Sequence, residues 1–568
     1  MDTETYQWWV TTTDKAGNTS VQSAQVNGQA LPLVDEAGLR DKLERLSTGE
    51  DLVADSVAGY IGEFLTIRAA QLGKKVAVVE KQYWGGVCLN VGCIPSKALI
   101  KNAEIAHIFT HEKKTFGING DVSFNYEDAH KRSRQVSERI VGGVHYLMKK
   151  NKITEIDGFG TFQDAKTIEV TEGNDAGKVI TFDDCIIATG SVVNTLRGVE
   201  FSENVVSYEE QILDPVAPEK MVIVGAGAIG MEFAYVLSNY GVDVTVIEYM
   251  DRVLPNEDAE VSKVIERAYK KMGVKLLPGH ATTAVRDNGD SVEVDYQKKG
   301  SDKTETITCD RVLVSVGFRP RVEGFGLENT GVELTERGAI AIDDFMRTNV
   351  EHIYAIGDVT AKLQLAHVAE AQGIVAAETI AGAETHELGD YMMMPRATFC
   401  NPQVASFGYT EAQAKEKWPD REIKVASFPF SANGKAVGLA ETDGFAKIVA
   451  DAEFGELLGG HVVGVLLGDG RDHPHVHAHH GAADQQGVAD VVAGVAQEGE
   501  GDLVEWLATV FEHGELVGEH LGGVPVVGEP VVDGHAGVLG QRLDGGLRRA
   551  PVFDGVVPAA EHAGRVGG

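Results

Sequence analysis

The sequence predicts an α/β protein built on parallel, doubly wound sheets. Short apolar segments recur along residues 51–464, and segments with helical periodicity lie between several of them. This alternation is typical of parallel sheets, because successive parallel strands are joined by helical crossovers. A glycine-rich loop that joins a predicted strand to a predicted helix is a second indication. The predicted strands cover residues 76–79, 185–188, 221–224, 242–247, 312–316 and 353–356, and the predicted helices include 229–239 and 367–381.

The overall composition limits the class of protein. The chain has 568 residues, of which 43% are apolar and 24% charged, so fibrous and globally disordered classes are excluded. At roughly 100–200 residues per domain, this length corresponds to about three to five domains. The net charge of −34 argues against nucleic acid or an anionic membrane surface as the main partner.

Two further features predict a cytoplasmic protein. The chain has no run of 18 apolar residues, so no transmembrane helix is expected. The N-terminus lacks the basic segment and apolar run of a secretory signal, which leaves the reducing cytoplasm as the expected location. Five cysteines in a chain of this length do not make a disulfide scaffold, so any function they have must be indicated by their spacing.

The two ends of the chain differ from its middle. Residues 1–50 form a polar extension with a predicted strand over 6–10, and we assign them no function. Residues 465–568 contain 21 Gly, 19 Val and 9 His, but no Lys, Ile, Asn, Tyr or Met, whose codons all begin with two A or T bases. This composition favours G/C-rich DNA read in a shifted frame, or a disordered segment, and the alternative is a genuine glycine- and histidine-rich extension.

A histidine cluster lies within this tail. Residues 473–480 include five histidines, of which His475 and His479 could share one face of a helix and bind a metal ion. The other interpretation is a solvated run without function, and we expect no metal site.

The strongest signal for chemistry is the string GGVCLNVGCIPSK at residues 85–97, where a loop is predicted to lead into a helix. The N-terminus of a helix favours a thiolate and so lowers the pKa of a nearby thiol. Pro95 suits the first turn of that helix. Cys88 and Cys93 either cycle between dithiol and disulfide, form half of a metal site, or are two buried cysteines. A metal site needs further ligands, and none is evident nearby.

The remaining cysteines, Cys185, Cys309 and Cys400, are predicted to be structural.

A second signal is a dinucleotide-binding fingerprint. Gly225, Gly227 and Gly230 follow an apolar strand and open a helix, and Glu248 ends the next predicted strand. These glycines allow a tight turn, close approach of a pyrophosphate, and packing of helix on strand. The carboxylate of Glu248 accepts hydrogen bonds from a ribose 2′-hydroxyl and repels a 2′-phosphate. The fingerprint therefore predicts NAD rather than NADP.

The thirteen-residue cysteine string resembles the redox-active disulfide motif of the class I pyridine nucleotide-disulfide oxidoreductases, and in detail their dihydrolipoamide dehydrogenase branch. The resemblance covers about residues 60–464. It implies that Cys88 exchanges with a dithiol substrate and that Cys93 contacts the flavin of FAD as a charge-transfer thiolate. It also implies that Lys97 lies beside the flavin N5 and forms an ion pair with Glu232 where nicotinamide and flavin meet.

Other segments resemble the FAD motifs of the same family. Gly357 and Asp358 end a predicted strand, and the resemblance places Asp358 on the ribitol of FAD. The helix that begins near Ala366 and His367 is expected to point its N-terminus at the pyrimidine edge of the flavin. Turns at 188–191 and 316–320 resemble the crossings between the FAD and NAD domains. The remaining cofactor-binding residues implied by the resemblance are Gly59, Gly62, Glu80, Lys81, Thr189, Gly190 and Gly317.

The resemblance implies a fold of two Rossmann-like dinucleotide-binding domains, one for FAD and one for NAD, and an α+β dimerisation domain that is only partly present. The predicted boundaries are 51–195 for the first part of the FAD domain with the redox disulfide, 196–320 for the NAD domain, 321–391 for the second part of the FAD region, and 392–464 for the start of the dimerisation domain.

Two departures from the family pattern bear on activity. Val57 occupies the position of the first glycine in the expected FAD loop, so that loop is either broken or sustained by Gly59, Gly62 and Glu80. The family also carries a His-Pro-Thr-x-Ser-Glu string that supplies a general base from the partner subunit. The only His-Pro pair here begins at His473 and has no Glu among the next four residues.

The function implied by the resemblance is oxidation of a dihydrolipoyl group by NAD⁺ through Cys88, Cys93 and FAD. The implied partners are the lipoyl-bearing acyltransferase of a 2-oxoacid dehydrogenase complex and a second copy of the chain. The alternatives are a flavoprotein that only transfers electrons from NADH to dyes, and an inactive chain.

Overall fold

The computed structural model describes residues 7–13, 19–25 and 61–464, and for 7–13, 19–25 and 61–64 it describes the backbone alone. Several predictions concern residues outside this part of the chain: the loop positions Val57 and Gly59, the tail 465–568, His473 and the histidine cluster. The strand predicted over 6–10 is confirmed as Gln7–Thr13 (β1), which pairs antiparallel with Thr19–Gln25 (β2).

Strands and helices alternate along most of the described chain. The further strands are Ala77–Glu80 (β3), Thr154–Asp157 (β4), Gly160–Asp164 (β5), Thr167–Val170 (β6), Val179–Thr181 (β7), Cys185–Ile187 (β8), Ser191–Val193 (β9), Val205–Val206 (β10), Lys220–Val224 (β11), Asp243–Glu248 (β12), Lys275–Pro278 (β13), His280–Asp287 (β14), Val292–Lys298 (β15), Thr304–Cys309 (β16), Arg311–Val314 (β17), Phe318–Pro320 (β18), Ile353–Ala355 (β19), Arg396–Thr398 (β20), Gln403–Gly408 (β21), Ile423–Pro429 (β22), Phe445–Asp451 (β23) and Leu457–Gly464 (β24). The α-helices are Ile61–Gln71 (α1), Gly86–Asn90 (α2), Cys93–His111 (α3), Tyr126–Lys150 (α4), Tyr208–Leu213 (α5), Ala228–Ser238 (α6), Ala259–Lys271 (α7), Ala366–Ala381 (α8), Glu411–Lys417 (α9) and Gly434–Leu439 (α10). Each strand and helix predicted within residues 51–464 is confirmed to within two residues, whereas β1 extends three residues beyond its predicted end.

A five-stranded parallel sheet in the order β10-β17-β11-β12-β13 confirms the predicted fold class. Met221, Val222 and Ile223 of β11 are fully buried, as expected for a parallel strand covered on both faces. The register places Val224 beside Ile247 on one neighbouring strand and beside Val314 on the other. The carboxyl ends of three strands therefore meet at one edge of the sheet, where the glycine-rich loop begins.

An antiparallel sheet of β14, β15 and β16 lies in the chain between β13 and β17 of this parallel sheet. Its side chains alternate, and Val292, Val294 and Tyr296 point into a core shared with Val222 and Val312. This period-two pattern is typical of a sheet with one buried face.

Parallel pairs also occur in the region that the sequence assigns to FAD. Strand β3 pairs with β4, and β8 pairs with β19. Helix α1 lies close against α8, since a Cβ at Gly373 would be 2.8 Å from the Cβ of Leu65. Leu65 also shares a core with Ile356 and Ala376. This region places the end of β3 and the end of β19 near the functional site.

A second compact unit begins at Val404. Within it, β22 and β24 both pair antiparallel with β23. Lys447 of β23 is only 2% exposed, and its Nζ forms an ion pair with Glu411 Oε2 at 2.8 Å. A buried cation requires such a partner, so this pair is part of the core of the unit.

Among the described helices, none is both long and apolar enough to cross a membrane.

The stability of the parallel sheet depends on its central strand. Ile223→Ala is expected to lower the free energy of unfolding by about 2–5 kcal/mol, because the removed methyl groups leave a cavity in a close-packed core. Urea unfolding followed by circular dichroism measures this change. Val216 is 63% exposed, so Val216→Ala is the control, for which little change in the free energy of unfolding is expected. Equal effects of the two substitutions would contradict the burial of Ile223.

Candidate active site

The predicted site residues converge on a cavity of about 1980 Å³. Cys93, Lys97, Glu232, Glu248 and Asp358 all lie in its walls, although they are far apart in the sequence. The volume exceeds the roughly 300–1,000 Å³ that is typical of pockets for one drug-sized ligand. The cavity therefore suits two large bound groups that meet. Its walls also contain Glu80, Lys81, Cys88, Thr189, Gly190, Gly225, Gly227, Gly317, Gly357 and Ala366.

Cys88 and Cys93 form a disulfide bond, which resolves the three interpretations of their spacing in favour of a redox pair. Cys88 lies in the short helix α2, and Cys93 is the first residue of α3, so a bend joins the two helices between the cysteines. Gly92 permits the bend, because a Cβ there would lie 2.9 Å from the carbonyl oxygen of Val87. Pro95 lies in the first turn of α3, as predicted.

The position of Cys93 favours its thiolate. Helix α3 has 19 residues and no acidic residue in its first turn, so its N-terminal partial charge is not compensated by a neighbouring carboxylate. A thiolate at Cys93 would take that place. Cys93 is thus the sulfur better able to leave when the disulfide is broken.

Lys97 and Glu232 form the predicted ion pair. Lys97 Nζ lies 3.3 Å from Glu232 Oε1 and 3.2 Å from Oε2. Lys97 is one turn beyond Cys93 on α3, and Glu232 lies on α6, directly after the glycine-rich loop. The pair therefore joins the redox disulfide to the dinucleotide-binding loop.

The three glycines of the fingerprint differ in what a Cβ at their positions would meet. Gly225 has φ +108, and a Cβ there would be 2.4 Å from the carbonyl oxygen of Ser315. A Cβ on Gly230 would be 2.0 Å from the carbonyl oxygen of Gly225. Gly227 differs, because no atom lies within 4 Å of the Cβ position and its backbone is extended. Gly225 and Gly230 are needed for the turn itself, whereas Gly227 leaves open space toward the cavity.

The open side of this loop suits a pyrophosphate. Gly227 caps α6, which has no side-chain cap and no acidic residue in its first turn. Unpaired N–H groups and the positive end of the helix dipole favour a phosphate in this position. A dinucleotide bound here would extend from the helix N-terminus to the end of β12.

Glu248 ends β12, and its carboxylate is fixed by backbone groups. Oε2 accepts from the N–H of Ala226 at 2.6 Å, and Oε1 accepts from the N–H of Met250 at 2.7 Å. Each carboxylate oxygen can accept more than one hydrogen bond, so both remain available to ribose hydroxyls. The link from Glu248 to the glycine-rich loop could not be predicted from the motif alone.

Glu80 ends β3 and Lys81 follows it, and both lie in the cavity walls. Glu80 Oε1 accepts from the N–H groups of Gln82 and Tyr83 at 2.8 and 2.9 Å. Lys81 Nζ lies 5.1 Å from the centre of the Phe159 ring. Gly62 falls in the first turn of α1, after the loop predicted for FAD. A strand that ends in a carboxylate and a helix that follows the loop fit the adenosine half of FAD.

Asp358 provides a second carboxylate for FAD. Burial raises its pKa, although its Oδ2 accepts a hydrogen bond from Ser191 Oγ at 2.7 Å. A desolvated carboxylate in a cavity wall gains from the hydroxyl donors of a ribitol chain. Gly190 has φ +74 and open space around its Cβ position, so its backbone permits close approach of a bound group. These residues fit the flavin half of FAD.

The two predicted domain crossings are neighbours in space. Strands β9 and β18 pair antiparallel, and the N–H of Asn194 donates to the carbonyl oxygen of Gly317 at 2.9 Å. Thr189 Oγ1 donates to the carbonyl oxygen of Arg321 at 2.8 Å. The two crossings therefore run side by side where the chain passes between the dinucleotide-binding regions.

Ala366 and His367 begin α8, as predicted, but only Ala366 lines the cavity. His367 Nε2 donates to the carbonyl oxygen of Pro395 at 2.9 Å. Burial lowers the pKa of His367, so its ring is neutral near pH 7. The backbone at the N-terminus of α8, rather than the His367 side chain, is available to a bound flavin.

The other three cysteines are free. Burial raises the pKa of the Cys309 thiol to about 11, and it raises that of Cys400 as well. Such thiols stay protonated at neutral pH and are unreactive. This agrees with their predicted structural role.

Two contacts at the site carry no local sequence signal. Ser191 donates to Asp358, and the backbone N–H of Phe399 donates to Glu232. Each contact joins residues that are 167 positions apart. Only the tertiary fold brings them together.

The family is established by comparison with known proteins. Residues 58–373 match the family described as pyridine nucleotide-disulphide oxidoreductase, and residues 394–492 match its dimerisation domain. The chain therefore belongs to the pyridine nucleotide-disulphide oxidoreductases, a family of FAD- and NAD-dependent enzymes with a redox disulfide. The second match continues past Gly464, where the resemblance was expected to end.

Several proteins similar in sequence are dihydrolipoyl dehydrogenases. The chain is 88% identical to that of Corynebacterium glutamicum over 407 residues, which are 72% of this chain and 87% of that protein. It is 60% identical to that of Mycobacterium leprae over 410 residues, with the same two coverages of 72% and 87%.

Solved structures show the same fold. The Cu(II) complex of the HOCl-induced flavoprotein disulfide reductase RclA from Escherichia coli matches with a TM-score of 0.64 at 25% identity, over 73% of this chain and 88% of that one. LpdA from Mycobacterium tuberculosis matches with a TM-score of 0.64 at 24% identity, over 72% and 88%.

Proposed function

We propose that this chain is a FAD-dependent dihydrolipoyl dehydrogenase, which oxidises a dihydrolipoyl group with NAD⁺. The observation that carries the proposal is the Cys88–Cys93 disulfide, which shares one cavity with the Lys97–Glu232 ion pair and the dinucleotide loop. A dithiol substrate can thus give its electrons to the disulfide, and a nicotinamide held by the dinucleotide loop can receive them. The names of relatives at 88% and 60% identity support the same activity.

The first half of the reaction is a thiol–disulfide exchange. A thiolate of the dihydrolipoyl group attacks Cys88 Sγ, the Cys88–Cys93 bond breaks, and Cys93 leaves as a thiolate stabilised by the N-terminus of α3. The second substrate thiolate then attacks the substrate sulfur of the mixed disulfide and displaces Cys88. The substrate closes as a lipoyl disulfide, and its two electrons stay on the cysteine pair.

The second half passes this electron pair to NAD⁺. FAD, when bound, supplies the chemistry that converts a dithiol's electron pair into a hydride. We infer that Glu80 and Asp358 would hold its ribose and ribitol hydroxyls, and that the Gly225–Gly230 loop with Glu248 would hold NAD⁺. The balance is one dihydrolipoyl group and NAD⁺ giving one lipoyl group, NADH and a proton.

The Lys97–Glu232 pair acts at the junction of the two halves. The ammonium of Lys97 presents a fixed positive charge to the cavity, which favours electron density arriving there. Glu232 neutralises part of this charge and holds it in one place. We infer that the role of the pair is electrostatic. It fixes where electron density is favoured in the cavity, and it does not exchange a proton with the substrate.

The partners follow from the same proposal. A dihydrolipoyl group is carried by the acyltransferase of a 2-oxoacid dehydrogenase complex, so we infer that this is the macromolecular partner. The match to a dimerisation domain at 394–492 supports a homodimer. The cytoplasmic location stays a prediction from the sequence.

The decisive experiment compares two activities of the purified, FAD-loaded chain. NADH formation from dihydrolipoamide and NAD⁺ is followed by absorbance, and NADH-dependent reduction of a dye is followed in parallel. We expect both activities. Dye reduction without dihydrolipoamide oxidation would overturn the proposal and leave the dye-reducing alternative, which the names of the matched relatives do not favour.

The choice between NAD and NADP is expected to depend on Glu248. Glu248→Gln removes the negative charge that repels a 2′-phosphate, so the preference for NADH over NADPH in kcat/KM is expected to fall by at least about tenfold. Steady-state dye reduction with both nucleotides measures this ratio. Glutamine keeps one acceptor oxygen for two backbone donors, so thermal unfolding is measured alongside.

The matched control is Glu336→Gln at an exposed loop position. It removes the same charge at a residue outside the cavity walls and is expected to leave the ratio unchanged. A change in both variants would mean that net charge, rather than Glu248, sets the preference.

A further inference from the structure

Phe399 contacts both members of the Lys97–Glu232 ion pair. Its backbone N–H donates to Glu232 Oε1 at 2.9 Å, and Lys97 Nζ lies 4.3 Å from the centre of its ring. Phe399 follows strand β20 and lies outside the cysteine string, the dinucleotide fingerprint and the FAD motifs. One residue thus touches the anion with its backbone and the cation with its side chain.

The ring limits the directions open to the ammonium of Lys97. Two of its other contacts are the carboxylate of Glu232 and Ser96 Oγ, the latter at 3.5 Å. The negative face of the Phe399 ring attracts the cation from a further direction. Since the Lys97 side chain is 36% exposed, water competes for it, and the ring covers part of the surface that water would otherwise reach.

Glu232 is fixed by the same residue. It is 9% exposed, and its Oε1 accepts from both Lys97 Nζ and the N–H of Phe399. Thr398 and Cys400, on either side of Phe399, are 5% and 0% exposed. Because its neighbours are buried, the backbone of Phe399 has little freedom to move away from the carboxylate.

We propose that Phe399 is a positioning residue for the Lys97–Glu232 pair, with its backbone holding the carboxylate and its ring holding the ammonium. The inference deepens the proposed function and rests on it, because the use of the pair in electron transfer comes from that function. Phe399 acts through Lys97 and Glu232 and not on substrate or cofactor directly.

The first test measures the freedom of Lys97 without any turnover. The full chain is exposed to a short pulse of acetic anhydride, and mass spectrometry quantifies acetylation of each lysine. Phe399→Leu keeps an apolar side chain but removes the aromatic face. It is expected to raise the acetylation rate of Lys97 about two- to fivefold, the range of a partly exposed cation–π contact. Phe399→Tyr keeps the face and is expected to restore the original rate.

Lys101 provides the internal control for this measurement. It lies one turn further along α3, with its side chain 60% exposed and paired to Glu104. Its acetylation rate is expected to be the same in all variants. An unchanged rate at Lys97 in Phe399→Leu would overturn the proposal, and so would an equal rise at both lysines, which indicates general loosening.

The second test is a double-mutant cycle on NADH-dependent dye reduction. Phe399→Leu is expected to lower the rate about two- to fivefold in the original chain and to have no further effect in a Lys97→Met background. Equal losses in both backgrounds would assign Phe399 a packing role and overturn the proposal. If the chain fails to oxidise dihydrolipoamide but Lys97 acetylation responds as expected, the proposed function fails and the positioning role stands.

Discussion

Replacement of Cys88 with serine is expected to abolish the oxidation of dihydrolipoamide by NAD⁺ while NADH-dependent dye reduction survives. A hydroxyl cannot form the S–S bond that the substrate dithiol has to break, so no exchange takes place. The expected loss is at least about a thousandfold, the scale observed when the nucleophile of a covalent mechanism is removed. Dye reduction uses the nucleotide sites and the Lys97–Glu232 pair between them, and the sulfur of Cys88 is no part of either.

The measurement follows both activities on one preparation, so that differences in FAD content cancel. The control is Cys309→Ala, which removes a free cysteine at the end of β16, outside the walls of the cavity. It is expected to retain both activities. If Cys88→Ser lost both activities together with its flavin absorbance, the substitution would have damaged the fold. If it retained dihydrolipoamide oxidation, the redox role of the disulfide would be wrong.

The packing around Cys88 supports the expectation that Cys88→Ser loses one activity and keeps the other. Cys88 packs with Leu89, Val144, Leu147 and Met148 in a buried cluster. Serine is close to cysteine in volume, so most of that packing is kept. The variant is therefore expected to fold and to bind FAD and NADH.

Local sequence predicted those parts of the site that depend on neighbouring residues. The cysteine string defines its own bend, because Gly92 and the start of α3 lie within it. The fingerprint likewise contains its turn, and the apolar strand β11 is recognisable because both of its faces are buried. The ion pair between Lys97 and Glu232 was predicted only because a family resemblance related two distant motifs.

The contacts that were not predicted are those set by the tertiary fold. The approach of Phe399 to Lys97 depends on where β20 ends, and no periodicity in the chain encodes that position. Ser191 reaches Asp358 only because β8 and β19 are neighbours in parallel register. A sequence identifies residues capable of such bonds, but it does not show which of them meet across more than a hundred positions.

Gly227→Val is expected to raise the KM for NADH by at least about a hundredfold without unfolding the protein. The Cβ position of Gly227 has no neighbour within 4 Å and its backbone is extended, so valine fits the fold. Its side chain would occupy the space beside the N-terminus of α6 where a pyrophosphate binds. The substitution is therefore expected to weaken nucleotide binding and to leave the fold unchanged.

Dye reduction at varied NADH concentration measures the KM, and thermal unfolding with flavin absorbance reports the state of the fold. Gly142→Val is the matched control, since Gly142 is an exposed helical position of α4 with equally open surroundings. It is expected to leave the KM unchanged. An unchanged KM in Gly227→Val would show that the pyrophosphate does not approach this loop.

The other two glycines of the fingerprint cannot test the same point. A Cβ at Gly225 or Gly230 would lie 2.4 or 2.0 Å from a backbone oxygen, so any larger residue there displaces the main chain. Loss of NADH binding in those variants would follow from distortion of the turn, and thermal stability would fall with it. Only at Gly227 are the two effects separable, because the space beside it is open to the cavity. A selective rise in KM at Gly227, with unchanged unfolding, would therefore identify that space as the pyrophosphate site.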